Sequence, residues 1–214
     1  MKYLALIGDI VDSKGLPKRG EFQTELAAGL KEISSRNPAL VSPYTITLGD
    51  EFQAVYKSAD TLFADIFSIL RRIHPVRARF AVGVGGLSTE INRKQALGMD
   101  GPAFHRAREA MNELKASRYL IRLQGAPAGD SAADPWKLLN HLLNLVTYKI
   151  GGWEGNRLRI IQGLLNGESV AVLEKELRIS NVAVYKNINA AALDELQGLC
   201  EEMTRLLNDE LKTP

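Results

Sequence analysis

Two groups of acidic residues have the types and spacing to hold a divalent cation. Asp9 and Asp12 follow a short apolar run near the start of the chain, and Asp50 and Glu51 lie at a turn between two β-rich runs. If these runs share one sheet, Asp9 and Asp50 reach neighbouring strand ends, with the Ile10 carbonyl as a further oxygen. Hard cations prefer carboxylate and carbonyl oxygens and keep positions open for water and phosphates. We therefore predict a Mg²⁺ or Mn²⁺ site formed by Asp9, Ile10, Asp50 and Glu51.

Each acidic group also has a simpler explanation on its own. Asp9 and Asp12 could shape a loop and cap the helix after it, and Gly49 with Asp50 could be only a hairpin turn. Glu51 could be a solvated strand residue. The metal site is predicted because both groups occur together, in the order that one sheet would require.

Two basic residues near these acids could contact a phosphate. Lys14 lies in a loop that contains Gly15 and Pro17, where a lysine could equally be solvated. Arg79 lies in a later β-rich run, where it could contact the ligand or pair with the acidic end of the sheet. Both alternatives stay open at the level of sequence.

The elements that position these residues follow from hydrophobic periodicity and turn signals. The predicted order is β-α-β-β-α-β-α-β, with a central hairpin. Predicted strands cover residues 3–8, 44–48, 52–56, 76–85 and 118–123, and predicted helices cover about 18–35, 60–73 and 103–115. This order favours an α+β palm, a ferredoxin-like antiparallel or mixed sheet with helices on one face, over a doubly wound parallel sheet.

The second part of the chain reads as helical throughout. Residues 124–134 are rich in Gly, Ala, Pro and Asp and form a candidate linker. Helices are predicted near 135–150, 154–165, 169–177 and 181–192, with a last one reaching Leu211. We predict a palm domain over 1–124, a linker and connecting helix over 125–153, and a small all-α module over 154–214.

Two segments carry a resemblance to known families. Asp-Ile-Val-Asp-Ser (9–13) and Leu-Gly-Asp-Glu-Phe (48–52) resemble the paired metal-binding segments of class III nucleotide cyclases and of diguanylate-cyclase (GGDEF) domains. Residues 79–85 resemble the strand that follows in both families. With its helical C-terminal part, the chain resembles the SatD family of bacterial proteins over nearly its whole length.

The resemblance implies a nucleotide-cyclase-like palm, a nucleotide or other phosphate ligand, and a homodimer, since cyclase palms commonly complete their sites across a dimer. The ligand contacts that it implies, together with the basic residues above, are Asp12, Ser13, Lys14, Arg79, His105 and Arg106.

The chain departs from the cyclases at positions that cyclisation needs. Ile46 occupies the position of the purine-reading residue, and Leu48 replaces one glycine of the hairpin motif. His105 and Glu109 fall where the later helix of cyclases has its Asn and its Arg, although Arg106 and Arg108 are close. His105 could also be an ordinary helix residue. We therefore expect little or no synthesis of cyclic nucleotides.

Residues 172–188 resemble a helix-turn-helix. A short helix ends near Leu177, and Ser180 can cap the next helix after a short turn. Asn181, Tyr185, Lys186 and Asn189 would then face outward, where such motifs contact DNA. Leu173, Leu177, Val184 and Ile188 would form the core of this motif.

Charged residues are distributed unevenly along the chain, and the charge of the C-terminal part does not favour DNA binding by that part alone. Residues 1–152 carry 20 Lys and Arg against 15 Asp and Glu, whereas residues 153–214 carry 7 against 10. Non-specific affinity for DNA depends on cations that displace counterions, and the tail has a net charge of −3. Dimerisation or docking of the helical module is therefore an open alternative.

Bulk composition indicates an ordinary globular protein. Hydrophobic residues make up 45% of the chain and charged residues 24%. No apolar run reaches the length of a membrane span, and the single cysteine, Cys200, cannot form an internal disulfide. We expect a cytoplasmic location and a packed thiol.

These features together predict a bacterial regulatory protein. Its palm would bind a divalent metal and a nucleotide or other phosphate ligand, and its helix-turn-helix would be the output module. The alternatives are a degenerate palm that acts as a dimeric interaction scaffold, and an active metal-dependent enzyme that transfers nucleotidyl or phosphoryl groups.

Overall fold

The computed structural model describes residues 1–127 and 134–213 and contains the predicted order of elements. The strands are β1 (Tyr3–Ile10), β2 (Leu40–Leu48), β3 (Glu51–Tyr56), β4 (Ala78–Gly85) and β5 (Ile121–Gln124). The helices of the first part are α1 (Arg19–Ser35), α2 (Leu62–Ile73) and α3 (Pro102–Lys115). Those of the second part are α4 (Pro135–Ile150), α5 (Gly155–Leu165), α6 (Val170–Leu177), α7 (Asn181–Ala191) and α8 (Leu193–Lys212).

One mixed sheet of five strands organises the first part, in the order β2-β3-β1-β4-β5. The central strand β1 is antiparallel to both β3 and β4, and β4 is parallel to β5. A parallel pair needs a crossover connection, and α3 supplies it. This topology confirms the predicted α+β palm.

Helices cover both faces of the sheet, so the expectation of helices on one face was wrong. One face packs on α1, α2 and the C-terminal helices, through side chains that include Leu4, Leu6 and Phe80. The other face packs on α3, through Ala5, Ile7 and their neighbours. The β1 side chains are almost all buried because this strand lies at the centre of a sheet covered on both sides.

The C-terminal helices share a core with the palm. Trp153 stacks on Phe67 of α2, with their ring centroids 6.5 Å apart. Asn140 of α4 pairs with the backbone of Leu123 in both directions, at 2.9 Å from the Leu123 N–H and 2.8 Å to its carbonyl. The amide of Asn140 thus covers the free edge of β5. The division at 124/125 and 153/154 stays a prediction.

Two further predictions from the sequence concern the cysteine of α8 and the absence of membrane-spanning helices. Cys200 is buried in α8, and burial raises the pKa of its thiol to about 12, as expected for a packed cysteine. Within residues 1–127 and 134–213, no helix is both long and apolar enough to cross a membrane.

Candidate functional site

Strand pairing brings one acidic group together with a basic residue. Asp9 of β1 lies opposite Glu51 of β3 on one side and opposite Arg79 of β4 on the other. Directly opposed residues of neighbouring strands point to the same face, so these three side chains share the face covered by α3. Asp9 and Glu51 are both buried there.

Helix α3 adds two cations to this face. The Lys115 ammonium lies 2.7 Å from Oδ1 of Asp9, and the Arg79 guanidinium lies 3.2 Å from Oδ2. Arg108 pairs with Glu51 at 2.8 Å. Arg108 and Lys115 lie two helical turns apart, which places them on the same side of α3. We call Asp9, Glu51, Arg79, Arg108 and Lys115 the strand-end cluster.

The sequence reasoning found part of this cluster. Asp9, Glu51 and Arg79 were predicted as site residues, and the ion pair of Arg79 with the acidic end was one of its two alternatives. Lys115 was missed. The spacing of Arg108 and Lys115 along a helix predicted to follow a glycine-rich strand was the available signal, because it marks a basic stripe facing the sheet.

Asp50 takes a different position from Asp9. It follows Gly49, whose φ of +64° is a turn conformation that side chains disfavour. The Asp50 carboxylate accepts a hydrogen bond from the Ser13 hydroxyl, and its backbone carbonyl accepts one from the N–H of Ile10 at 3.1 Å. Ser13 is buried in a short 3₁₀ turn (Ser13–Gly15). The two predicted segments therefore do meet, through Ser13 and Ile10.

Other predicted ligand contacts lie elsewhere. Asp12 and Lys14 are exposed on the loop after β1. Arg106 donates to the carbonyl of Val84, and His105 contacts Asp100 at 2.8 Å. Neither His105 nor Arg106 therefore takes part in the ion pairs of the strand-end cluster.

The strand-end cluster does not fit a resident metal as it is arranged. Both oxygens of Asp9 contact cations, and no group of three or more His, Cys, Asp or Glu side chains in the described part of the chain could hold a metal ion. The Nε of Arg79 is buried and has no hydrogen-bond acceptor among residues 1–127 and 134–213. An unpaired donor needs an oxygen, which an anion or water supplies and a metal does not. The Mg²⁺ or Mn²⁺ site stays a prediction that requires Lys115 and Arg79 to leave Asp9.

The helix-turn-helix has the predicted form. Helix α6 ends at Leu177, Arg178 adopts a left-handed conformation with φ 54°, and the Ser180 side chain accepts from the N–H of Ala183 to cap α7. Leu173, Val184 and Ile188 are buried, while Leu177 is only partly so. The predicted DNA-contacting side chains, Asn181, Tyr185, Lys186 and Asn189, are all exposed on one side of α7.

A buried ion pair fastens α5 to α6. The guanidinium of Arg159, itself only 5% exposed, contacts Glu168 at 2.5 Å and Glu176 through Nε at 2.8 Å. Hydrogen bonding to Arg159 lowers the pKa of Glu176, and the same contact raises the pKa of Arg159. Arg71 of α2 contacts Glu176 at 3.1 Å, so the same carboxylate joins the palm to the helix-turn-helix.

A buried carboxylate that the sequence reasoning missed lies on α2. Oδ2 of Asp65 accepts hydrogen bonds from Tyr56 at 2.6 Å and Asn37 at 2.5 Å, and Tyr56 also contacts Tyr44. Burial raises the pKa of Asp65 to about 7, against the lowering effect of these hydrogen bonds. In the sequence, Asp65 stands among the apolar residues of a helix, and nothing there indicates that it would contact polar residues such as Tyr56 and Asn37.

Comparisons with known proteins find a family and one solved structure. The SatD family pattern matches residues 3–199. Among solved structures, the chain is similar to a bacterial light-regulated adenylyl cyclase, with 17% identity and a TM-score of 0.43. That similarity covers 57% of this chain and 43% of the other, so the chain spans less than half of that protein's length. No curated protein matches the chain significantly.

Proposed function

The chain belongs to the SatD family, and from this premise we propose that it is a cytoplasmic regulatory protein. Its palm binds a nucleotide or another phosphate ligand at the strand-end cluster, and its helix-turn-helix carries the response to DNA.

The observation that carries the palm ligand is the unpaired Nε of Arg79. This donor is buried beside Asp9 and has no acceptor in the described part of the protein, although buried donors are almost always satisfied. Arg108 and Lys115 bring two further cations to the same face, and both are partly accessible, with 51% and 45% of their side chains exposed. A phosphate oxygen would satisfy Arg79 and would compete with the carboxylates for the two accessible cations.

The exposed side of α7 supports the proposal that the helix-turn-helix binds DNA. Asn181, Lys186 and Asn189 are exposed polar side chains on a capped helix whose opposite side is buried. Such a helix, presented by a preceding helix and a short turn, has the geometry that enters the major groove. The contact of Arg71 with Glu176 offers a physical route from the palm to this helix.

The palm ligand is tested by titration calorimetry with ATP, GTP and inorganic phosphate, each with and without Mg²⁺. We expect binding that Arg79→Met weakens about tenfold or more, as loss of a charge-assisted contact predicts. Lys31→Glu, a charge change at an exposed α1 residue outside the cluster, is the matched control. Binding that is equal in Arg79→Met and the parent chain would reject the site, and binding only with Mg²⁺ would restore the metal prediction.

DNA binding is tested by gel shifts and by filter binding over a salt series. The full-length chain should bind better than a segment from residue 134 onward, because the tail alone has too few cations to displace counterions. Lys186→Glu should weaken the complex, and Lys31→Glu should not. Val184→Asp places an unpaired charge in the core and should unfold the module. No retardation by a full-length protein that is folded by circular dichroism would reject the DNA role.

A second candidate function is a dimeric interaction scaffold, favoured by α4. Leu138 and Leu145 lie two turns apart on this helix and are 63% and 65% exposed. On one side of a helix, they supply apolar surface that a second chain would bury. Sedimentation equilibrium should show a dimer that Leu138→Glu with Leu145→Glu converts to a monomer, and a parent chain that is already monomeric would reject it.

A further inference from the structure

A second charged region lies where the palm meets the C-terminal helices. The starts of β4 and β5 face the end of α4, the beginning of α5 and the end of α7 across a cleft of about 580 Å³. A cleft of this size is in the range that holds a small ligand, about 300 to 1,000 Å³. We call it the basic cleft, and its chemically active side chains are Arg77, Arg118, Lys149, Arg157, Tyr119 and Tyr148.

The basic cleft has cations and no carboxylate among the residues that line it. Within the described residues, Arg77, Arg118, Lys149 and Arg157 form no ion pair at all. The one side-chain hydrogen bond of Arg157 is a long one, 3.4 Å to the Asn187 amide oxygen. Four cations that converge without an acid repel one another, and an anion removes that repulsion.

Aromatic rings lie among these cations. Tyr148 is 80% exposed, so most of this large ring is accessible to solvent. The Arg118 guanidinium lies 5.8 Å from the centre of the Tyr119 ring. Trp153 lines the same cleft from a buried position. Flat rings beside cations are the combination that binds bases and phosphates together.

We propose that the basic cleft binds a nucleotide unit. Its phosphate lies among Arg118, Lys149 and Arg77, and its base stacks on the exposed ring of Tyr148. The unit is either a free nucleotide or one residue of a single nucleic-acid strand, since both present the same phosphate and base. This site is separate from the strand-end cluster and does not depend on a ligand there.

Calorimetry on the full-length chain tests this site with three probes: AMP, inorganic phosphate and an oligothymidylate of about ten nucleotides, a length within the site sizes of single-strand binders. The double variant Arg118→Glu with Lys149→Glu should weaken binding of all three about tenfold or more. Tyr148→Ala should weaken AMP and the oligonucleotide about tenfold and leave phosphate unchanged, because only the first two carry a base to stack. Lys31→Glu is the control and should bind like the parent chain.

The results distinguish a nucleic-acid strand from a free nucleotide and show whether the basic cleft is a binding site. Tighter binding of the oligonucleotide than of AMP identifies a strand as the source of the nucleotide unit, and equal or weaker binding identifies a free nucleotide. The site is rejected if no probe binds at millimolar concentration, or if the double variant binds as well as Lys31→Glu. A loss of AMP binding in Arg79→Met alone would assign the nucleotide to the strand-end cluster instead.

Discussion

The strand-end cluster and the basic cleft differ in whether their charged side chains are paired. In the strand-end cluster, Asp9 has two cationic partners and Glu51 has one. In the basic cleft, four cations and no carboxylate stand among the described residues that line the cavity. A ligand at paired charges must compete with the partners already present, whereas unpaired cations contribute little to stability and remain available to an anion. A ligand at the strand-end cluster must therefore displace existing partners, and a ligand in the basic cleft need not.

The largest expected effect comes from a third arrangement, a buried carboxylate without a cation. Burial keeps Asp65 protonated in the folded chain up to about pH 7, whereas the unfolded chain loses this proton near pH 4. The folded state therefore binds more protons between these values. Its contribution to stability is fully present below about pH 4, falls by about 1.4 kcal/mol per pH unit and is lost above about pH 7.

Urea unfolding at several pH values measures this dependence. Asp65→Asn keeps an acceptor oxygen for Tyr56 and should remove this part of the pH dependence, so that the variant gains on the parent chain as the pH rises. Asp60→Asn, an exposed acid at the start of the same helix region, is the matched control. An unchanged slope in Asp65→Asn would show that Asp65 ionises normally.

The next largest effect concerns how much the ion pairs of the strand-end cluster contribute to the free energy of unfolding. Arg79→Met removes one partner of a buried carboxylate and should lower the free energy of unfolding by about 1 to 3 kcal/mol. Arg108→Met should cost less, because that side chain is half exposed. Unfolding by urea measures both variants, and equal losses would contradict the expectation that the more buried arginine contributes more to stability.

Charge removal in the basic cleft should have a still smaller effect on stability. Arg118→Gln and Lys149→Gln should change the free energy of unfolding by less than about 0.5 kcal/mol, in the stabilising direction, since each relieves repulsion between cations. The same urea experiment measures them beside Arg79→Met. A decrease of more than about 1 kcal/mol in the free energy of unfolding would mean that these side chains stabilise the helix ends and are not reserved for binding.

The smallest expected signal is cyclic nucleotide synthesis. Incubation with labelled ATP or GTP and Mg²⁺ or Mn²⁺ should yield no detectable cyclic AMP, cyclic GMP or cyclic di-GMP, because Ile46 cannot hydrogen-bond a purine and Asp9 is already paired. Chromatography of the products measures this. Synthesis that Asp50→Asn abolishes would contradict this expectation and support the predicted metal site.

Much of the fold could be predicted from local patterns. The strand order along the chain, the central hairpin, and the helix-turn-helix with its Ser180 cap all follow from hydrophobic periodicity and turn residues, which act over a few positions. The outward face of α7 followed from the same periodicity, since a helix places every third or fourth residue on one side. These features were determined by the sequence alone.

The chemistry of the two charged regions was decided only by tertiary structure. Asp9 and Asp50 were predicted as equivalent ligands, yet strand register sets Asp9 against Arg79 and Lys115, while a turn directs Asp50 to Ser13. The basic cleft joins Arg77, Arg118, Lys149 and Arg157 from four separate elements, and no spacing in the sequence links them. Charge interactions depend on distance in space, and packing of the helices against the sheet sets those distances.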